Sequence, residues 1–135
     1  MSFLSYLALF AIAAVAFLVI DLFWLGVVAK QLYAHYMGDL IADKPNKLAA
    51  ALFYVMFLIG LIYFAIQPAV HGGTMRDAMV KGALYGLFTY GTYDLTNWAV
   101  LRGYPGGIAV IDMIWGTVLS FAVATSTYLV YDKFN

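Results

Sequence analysis

Four stretches of this chain are apolar over about the length that a helix needs to cross a lipid bilayer. They cover residues 3–28, 48–66, 78–101 and 108–131. A membrane-spanning helix takes about 20 residues, because each residue advances the helix by only about 1.5 Å. The sequence therefore predicts an all-α protein, a four-transmembrane-helix bundle that forms one integral membrane domain over residues 1–135.

The composition supports a lipid bilayer as the surroundings of the chain. Hydrophobic residues make up 65% and charged residues 10% of the sequence, against roughly 45–50% and 25% in soluble domains. The formal net charge of zero provides no basic field, so no nucleic acid partner is expected. The sequence has no cysteine, which excludes disulfides, thiolate metal sites and cysteine nucleophiles.

Polar segments with proline and glycine separate the apolar stretches. Segment 35–47 contains Pro45, segment 67–77 contains Pro68, and residues 102–107 read RGYPGG. The last connection is so short that the third and fourth helices are predicted to form a tight antiparallel hairpin. A helical turn at the membrane interface is expected within residues 34–47. The first span is predicted to be a retained helix, because no lysine or arginine precedes its small residues.

The predicted topology places the two ends of the chain on one side of the membrane, called side A, with side B opposite. Side A then carries three basic residues and side B four, so the positive-inside rule favours a cytoplasmic side B only weakly. These residues are Arg76, Lys81 and Lys133 on side A, and Lys30, Lys44, Lys47 and Arg102 on side B.

Three aspartates interrupt the predicted spans. Asp21, Asp94 and Asp112 each lie within about seven residues of the side-B end of a span, or roughly 10 Å inside it. Carboxylates inside a membrane are costly unless they are paired, hydrogen-bonded or protonated, and they commonly mark functional sites. Three aspartates at one depth predict a single site, and their mutual repulsion predicts that it holds at least one proton near neutral pH.

The neighbours of these aspartates are aromatic or uncharged. Every tryptophan follows an aspartate by three or four residues, in DLFW, DLTNW and DMIW. Residues at this spacing share a helix face, and an indole N–H can donate a hydrogen bond to a carboxylate. The predicted ligand-binding residues are Asp21, Trp24, Tyr90, Asp94, Asn97, Trp98, Asp112 and Trp115. Carboxylates walled by aromatic rings favour a small cationic, lipid-derived or proton ligand, bound or transported.

Several alternatives remain open at this level. The chain could be a lipid-modifying enzyme that uses one protonated and one ionised aspartate, an accessory subunit of a larger membrane complex, or a bundle whose aspartates and tryptophans only anchor helices. Gly82 and Gly86 allow close helix packing, within the bundle or in a homo-oligomer. No catalytic residue is identified, and no cofactor is expected. His35 and His71 are isolated, so no metal site is predicted.

Three segments of the sequence carry a resemblance to a known family. IDLFWLG (20–26), GLFTYGTYDLTNWAVLRGYP (86–105) and IDMIWG (111–116) resemble the DUF2177 family of bacterial predicted membrane proteins over nearly the whole chain. The resemblance implies an integral protein of the bacterial inner membrane. It carries over no catalytic or binding residue, so the aspartate site depends on the residues alone.

Overall fold

Five main helices, one short 3₁₀ turn at Gly38–Leu40 and no strand make up the structure, a computed structural model that describes residues 1–135. Their bounds are α1 Phe3–Val28, α2 Lys30–Met37, α3 Lys47–Val70, α4 Met75–Val100 and α5 Gly106–Phe134. Two segments are π-helical, namely Trp24–Val28 at the end of α1 and Ile62–Ile66 within α3. The all-α prediction is confirmed.

The helix ends differ from the predicted ends by a few residues. α4 begins three residues earlier than predicted, because Thr74 and Asp77 form a capping box that satisfies free N–H groups at the helix start. α3 continues beyond its predicted end at residue 66 and passes through Pro68. The π-helical turn ends two residues before this proline, which cannot donate a backbone hydrogen bond.

The apolar character of the helices is uneven. α1, α3 and α5 are long and apolar enough to cross a membrane. α4 has 26 residues, but Arg76, Asp77, Lys81 and Asp94 make it more polar than the other three. The prediction of four spans is therefore supported for three helices.

The main apolar core lies in the side-A half of the bundle. α1 contributes its first half, α3 its second half and α5 its second half to a cluster of 14 buried residues. α4 packs closely on α5 through small residues: Gly82 faces Ala124, and Gly86 lies against Gly116 and Ser120. The two helices run in opposite directions at these contacts. The side-B half contains a polar cluster in place of this core.

The side-B half of α3 stands apart from the bundle. None of residues 47–56 is buried, and Phe57 is the first buried residue of this helix. Tyr54 of this half contacts Phe17 of α1, and their ring centroids are 5.2 Å apart. A cleft between α3 and α4 is the consequence.

The short helix α2 covers the start of α5. Leu32, Tyr33 and Met37 of α2 pack against a small buried cluster formed by Tyr104, Ile108 and Ala109. A helical turn was expected within residues 34–47, and the structure has a 3₁₀ turn there, at Gly38–Leu40, whereas α2 itself begins earlier, at Lys30. It begins directly after the π-helical end of α1, so no polar linker separates the two helices.

Candidate functional site

Two stacked tryptophans connect α1 and α5 at the polar cluster. The ring centroids of Trp24 and Trp115 are 4.3 Å apart, and their planes differ by 7°. The indole Nε1 of Trp115 donates to Oδ1 of Asp21 at 3.3 Å. Asp21 is 8% exposed, so this bond gives a buried carboxylate one of the partners that it requires. Trp115 therefore donates to an aspartate of α1, whereas Asp112, which lies on the same helix as Trp115, accepts from a different donor.

Tyr33 connects the stacked tryptophans to Asp112. Its hydroxyl donates to Oδ1 of Asp112 at 2.7 Å, a short distance typical of a hydroxyl bound to a carboxylate. The same hydroxyl accepts from Nε1 of Trp24 at 3.4 Å. α2 thus supplies the principal donor to a carboxylate that α5 places inside the bundle.

Asp94 is the most enclosed polar residue of the cluster. It is 0% exposed, and its Oδ1 accepts a hydrogen bond from the Tyr104 hydroxyl at 3.2 Å. Its other oxygen, Oδ2, is buried and has no hydrogen-bond partner. The carboxyl group of Asp112 is the acidic neighbour of Asp94. Two carboxyl groups so placed repel each other unless a proton lies between them.

The donors in this network are neutral. Trp115, Tyr33 and Tyr104 supply an indole and two phenols, which stabilise negative charge without cancelling it. Burial raises the pKa of Tyr33 above its usual value and raises the pKa of Tyr104 to about 12. Both phenols therefore remain protonated donors at neutral pH.

Two cavities meet at Asp112. One, of about 560 Å³, lies between α3 and α4 and is lined by Phe53, Thr89, Tyr90, Tyr93 and Asp112. The other, of about 440 Å³, lies beneath α2, and Lys30, Tyr93 and Asp112 are among its lining residues. Asp112 and Tyr93 line both cavities, so the carboxylate can be reached from two directions.

The remaining residues of the predicted site occupy different positions. Tyr90 packs on Gly116 of α5 and lines the larger cavity. Asn97 is partly buried one helical turn after Asp94. Trp98 is 49% exposed, and its indole lies against Gly106, so it does not join the stacked tryptophans.

Two residues of the network were not among the predicted site residues. Tyr33 lies on α2, and Tyr104 lies in the connection between α4 and α5. The signal for Tyr104 was present in RGYPGG, since a tight turn after α4 returns a residue ten positions after Asp94 to the same level. The sequence contains no comparable signal for Tyr33.

The carboxylates do not form a group of three metal ligands. The structure contains no set of three or more His, Cys, Asp or Glu side chains arranged to hold a metal ion. Asp21 is bound to Trp115, whereas Asp94 and Asp112 are paired. The arrangement is a carboxyl pair with a third carboxylate nearby.

Long apolar helices with a polar cluster inside the bundle define a helical integral membrane protein. The model of the family DUF2177, described as predicted membrane protein, matches residues 6–129, and the chain belongs to this family. No curated protein and no solved structure gives a significant match.

Proposed function

We propose that this protein binds an exchangeable cation, either a proton or a small cationic ligand, at the Asp94–Asp112 pair. The observation that carries the proposal is the buried Oδ2 of Asp94, which lacks a hydrogen-bond partner beside a second carboxyl group. A shared proton satisfies this atom and leaves the pair with one negative charge. That charge suits a monovalent cation.

The surroundings of the pair suit binding and release. Neutral donors hold Asp112 and Asp94 in place, so an arriving cation displaces no lysine or arginine from them. Asp112 borders both cavities, and Asp94 lies behind it, fully buried. Aromatic rings of Tyr90 and Tyr93 line the approach and can add cation–π attraction.

The topology proposed for this function has four spans. α4 crosses the membrane as the fourth span because its length is sufficient and Asp94 faces the interior of the bundle. α4 and α5 form the antiparallel hairpin, and the site lies near side B of the bacterial inner membrane. Carriage of the ligand across the membrane requires a homo-oligomer or a rocking motion of the helices, since none of the 14 buried residues of the side-A core lines either cavity at Asp112.

The test is an infrared pH titration of the carboxyl stretches in the purified protein. The variants Asp94→Asn, Asp112→Asn and Asp21→Asn assign the bands, and Asp132→Asn at the other end of the bundle is the matched control. We expect one protonated carboxyl near neutral pH. Its band should disappear in Asp94→Asn and also in Asp112→Asn. Independent, ordinary titrations of Asp94 and Asp112 would refute the shared site.

A second candidate function follows from the cleft between α3 and α4. Phe53 at its edge is 47% exposed, so the cavity that contains Asp112 opens beside a surface that lipid covers in the membrane. A lipid-modifying enzyme would use the protonated carboxyl as general acid and its ionised partner as base. Mass spectrometry of a lipid extract incubated with the protein distinguishes this function, because turnover changes lipid masses whereas binding does not.

A further inference from the structure

The cavity beneath α2 has a different character from the cleft between α3 and α4. Its lining includes Lys30, Asp112 and three phenol-bearing side chains, Tyr33, Tyr93 and Tyr104. The other lining residues are apolar. A cavity of about 440 Å³ thus presents one basic and one acidic group together with several hydroxyls.

The two charged groups lie at different depths. Lys30 is the exposed first residue of α2, beyond the end of α1 and therefore near the membrane interface. Asp112 lies six residues after the first residue of α5, closer to the middle of the bundle. A ligand that matches both has an anionic group near the interface and a cationic group deeper inside.

We propose that this cavity binds a primary ammonium group joined to a phosphate, as in the headgroup of an aminophospholipid such as phosphatidylethanolamine. The ammonium group binds at Asp112 and the phosphate at Lys30. This inference rests on the proposed function, because it uses the single negative charge of the Asp94–Asp112 pair. It adds the chemical class of the ligand and a second contact point.

The hydrogen-bonding groups favour a primary ammonium over a quaternary one. A primary ammonium has three N–H donors, and the Asp112 carboxylate can accept one of them, because only its Oδ1 accepts from Tyr33. A quaternary ammonium has no N–H and gives this carboxylate no such hydrogen bond.

The surroundings favour a lipid over a free headgroup. Leu25 and Ile41 also line the cavity, and they are 40% and 48% exposed. In the membrane these side chains meet acyl chains, so the tails of a bound lipid can remain in the bilayer beside them. The apolar contact adds affinity that a soluble zwitterion does not have.

The experiment is a lipid titration of the detergent-solubilised full chain by native mass spectrometry. Dioleoyl phosphatidylethanolamine, phosphatidylcholine and phosphatidylglycerol are compared with soluble phosphoethanolamine. We expect phosphatidylethanolamine to bind about tenfold or more tightly than the others, since each loses one charged hydrogen-bonding contact or the apolar contact. Lys30→Gln and Asp112→Asn should each weaken its binding by a similar factor. Lys44→Gln, exposed on the same side and outside the cavity, is the matched control.

Each alternative outcome has a definite meaning. Equal binding of the three lipids overturns the inference, and so does equal binding of soluble phosphoethanolamine, which would assign the site to a free headgroup. Preference for phosphatidylcholine would indicate an aromatic cage in place of N–H recognition. Lys30→Gln removes the phosphate contact without touching the carboxyl pair, so its infrared titration should match the wild type. A coupled titration of the carboxyl pair with no lipid preference refutes this inference alone, whereas independent titrations of Asp94 and Asp112 refute the proposed function.

Discussion

The sharpest stability prediction concerns Asp94→Asn. An asparagine retains Oδ1 as the acceptor for Tyr104 and replaces the unpartnered Oδ2 with an amide that can donate to Asp112. The variant therefore reproduces the hydrogen bonding of the pair with its shared proton, and it does so at every pH. The wild type has that arrangement only while the proton is present.

The magnitude follows from the burial of this atom. A buried polar atom without a partner costs about 1–3 kcal/mol, and Asp94 is 0% exposed. At acid pH the wild type and the variant should be equally stable, to within about 0.5 kcal/mol. As the pH rises and the proton leaves, the variant should become more stable by about 1–3 kcal/mol.

The difference in unfolding free energy between the wild type and the variant can be measured in mixed micelles, by unfolding both proteins with increasing concentrations of sodium dodecyl sulfate. Tryptophan fluorescence reports the transition, because unfolding separates the stacked pair formed by Trp24 and Trp115. Asp132→Asn, exposed near the end of α5, is the control and should follow the wild type at each pH. A variant less stable than the wild type across the whole pH range would refute the reasoning about Oδ2.

Two further predictions concern the helix packing and the start of α4. Gly86→Ala should cost about 1–3 kcal/mol of unfolding free energy, because its new methyl group would lie 2.7 Å from Cβ of Ser120. Thermal unfolding measures the loss. The control Gly91→Ala should unfold near the wild-type temperature, because its methyl group meets only a flexible methionine methyl at 3.2 Å. Hydrogen bonds from the backbone and side chain of Thr74 hold the pKa of Asp77 below its ordinary 3.8. The stability that Asp77 contributes is therefore complete above pH 3.8 and is lost as the pH falls through the lower folded value, a loss that should be absent from acid titrations of Asp77→Asn.

The depth of the site could be predicted from the sequence because it depends only on the length of the helices. The rise per residue is constant, so Asp21, Asp94 and Asp112 could be placed near one level before any contact was known. The choice of partners depends on rotation about the helix axis and on packing, which spacing alone does not determine. This is why Trp115 binds the aspartate of another helix.

The contribution of α2 could not be predicted for a related reason. The segment around Lys30 lies between two predicted spans, and its role depends on the direction in which α1 ends. Tyr33 reaches Asp112 only because the chain turns back over the start of α5. Trp98 was predicted as a site residue from its spacing but does not join the network. It lies near the end of α4 and packs on Gly106 at the start of α5.

The π-helical end of α1 determines the direction in which α2 leaves it. The N–H of Ala29 bonds to the carbonyl of Trp24 at 2.7 Å, five residues back in place of four, so this turn contains one residue more than an α-helical turn. One residue corresponds to a rotation of about 100° around the helix axis. A homologue that lacked this residue would direct α2 to another side of the bundle, and the length of this short segment therefore decides whether Tyr33 can reach Asp112.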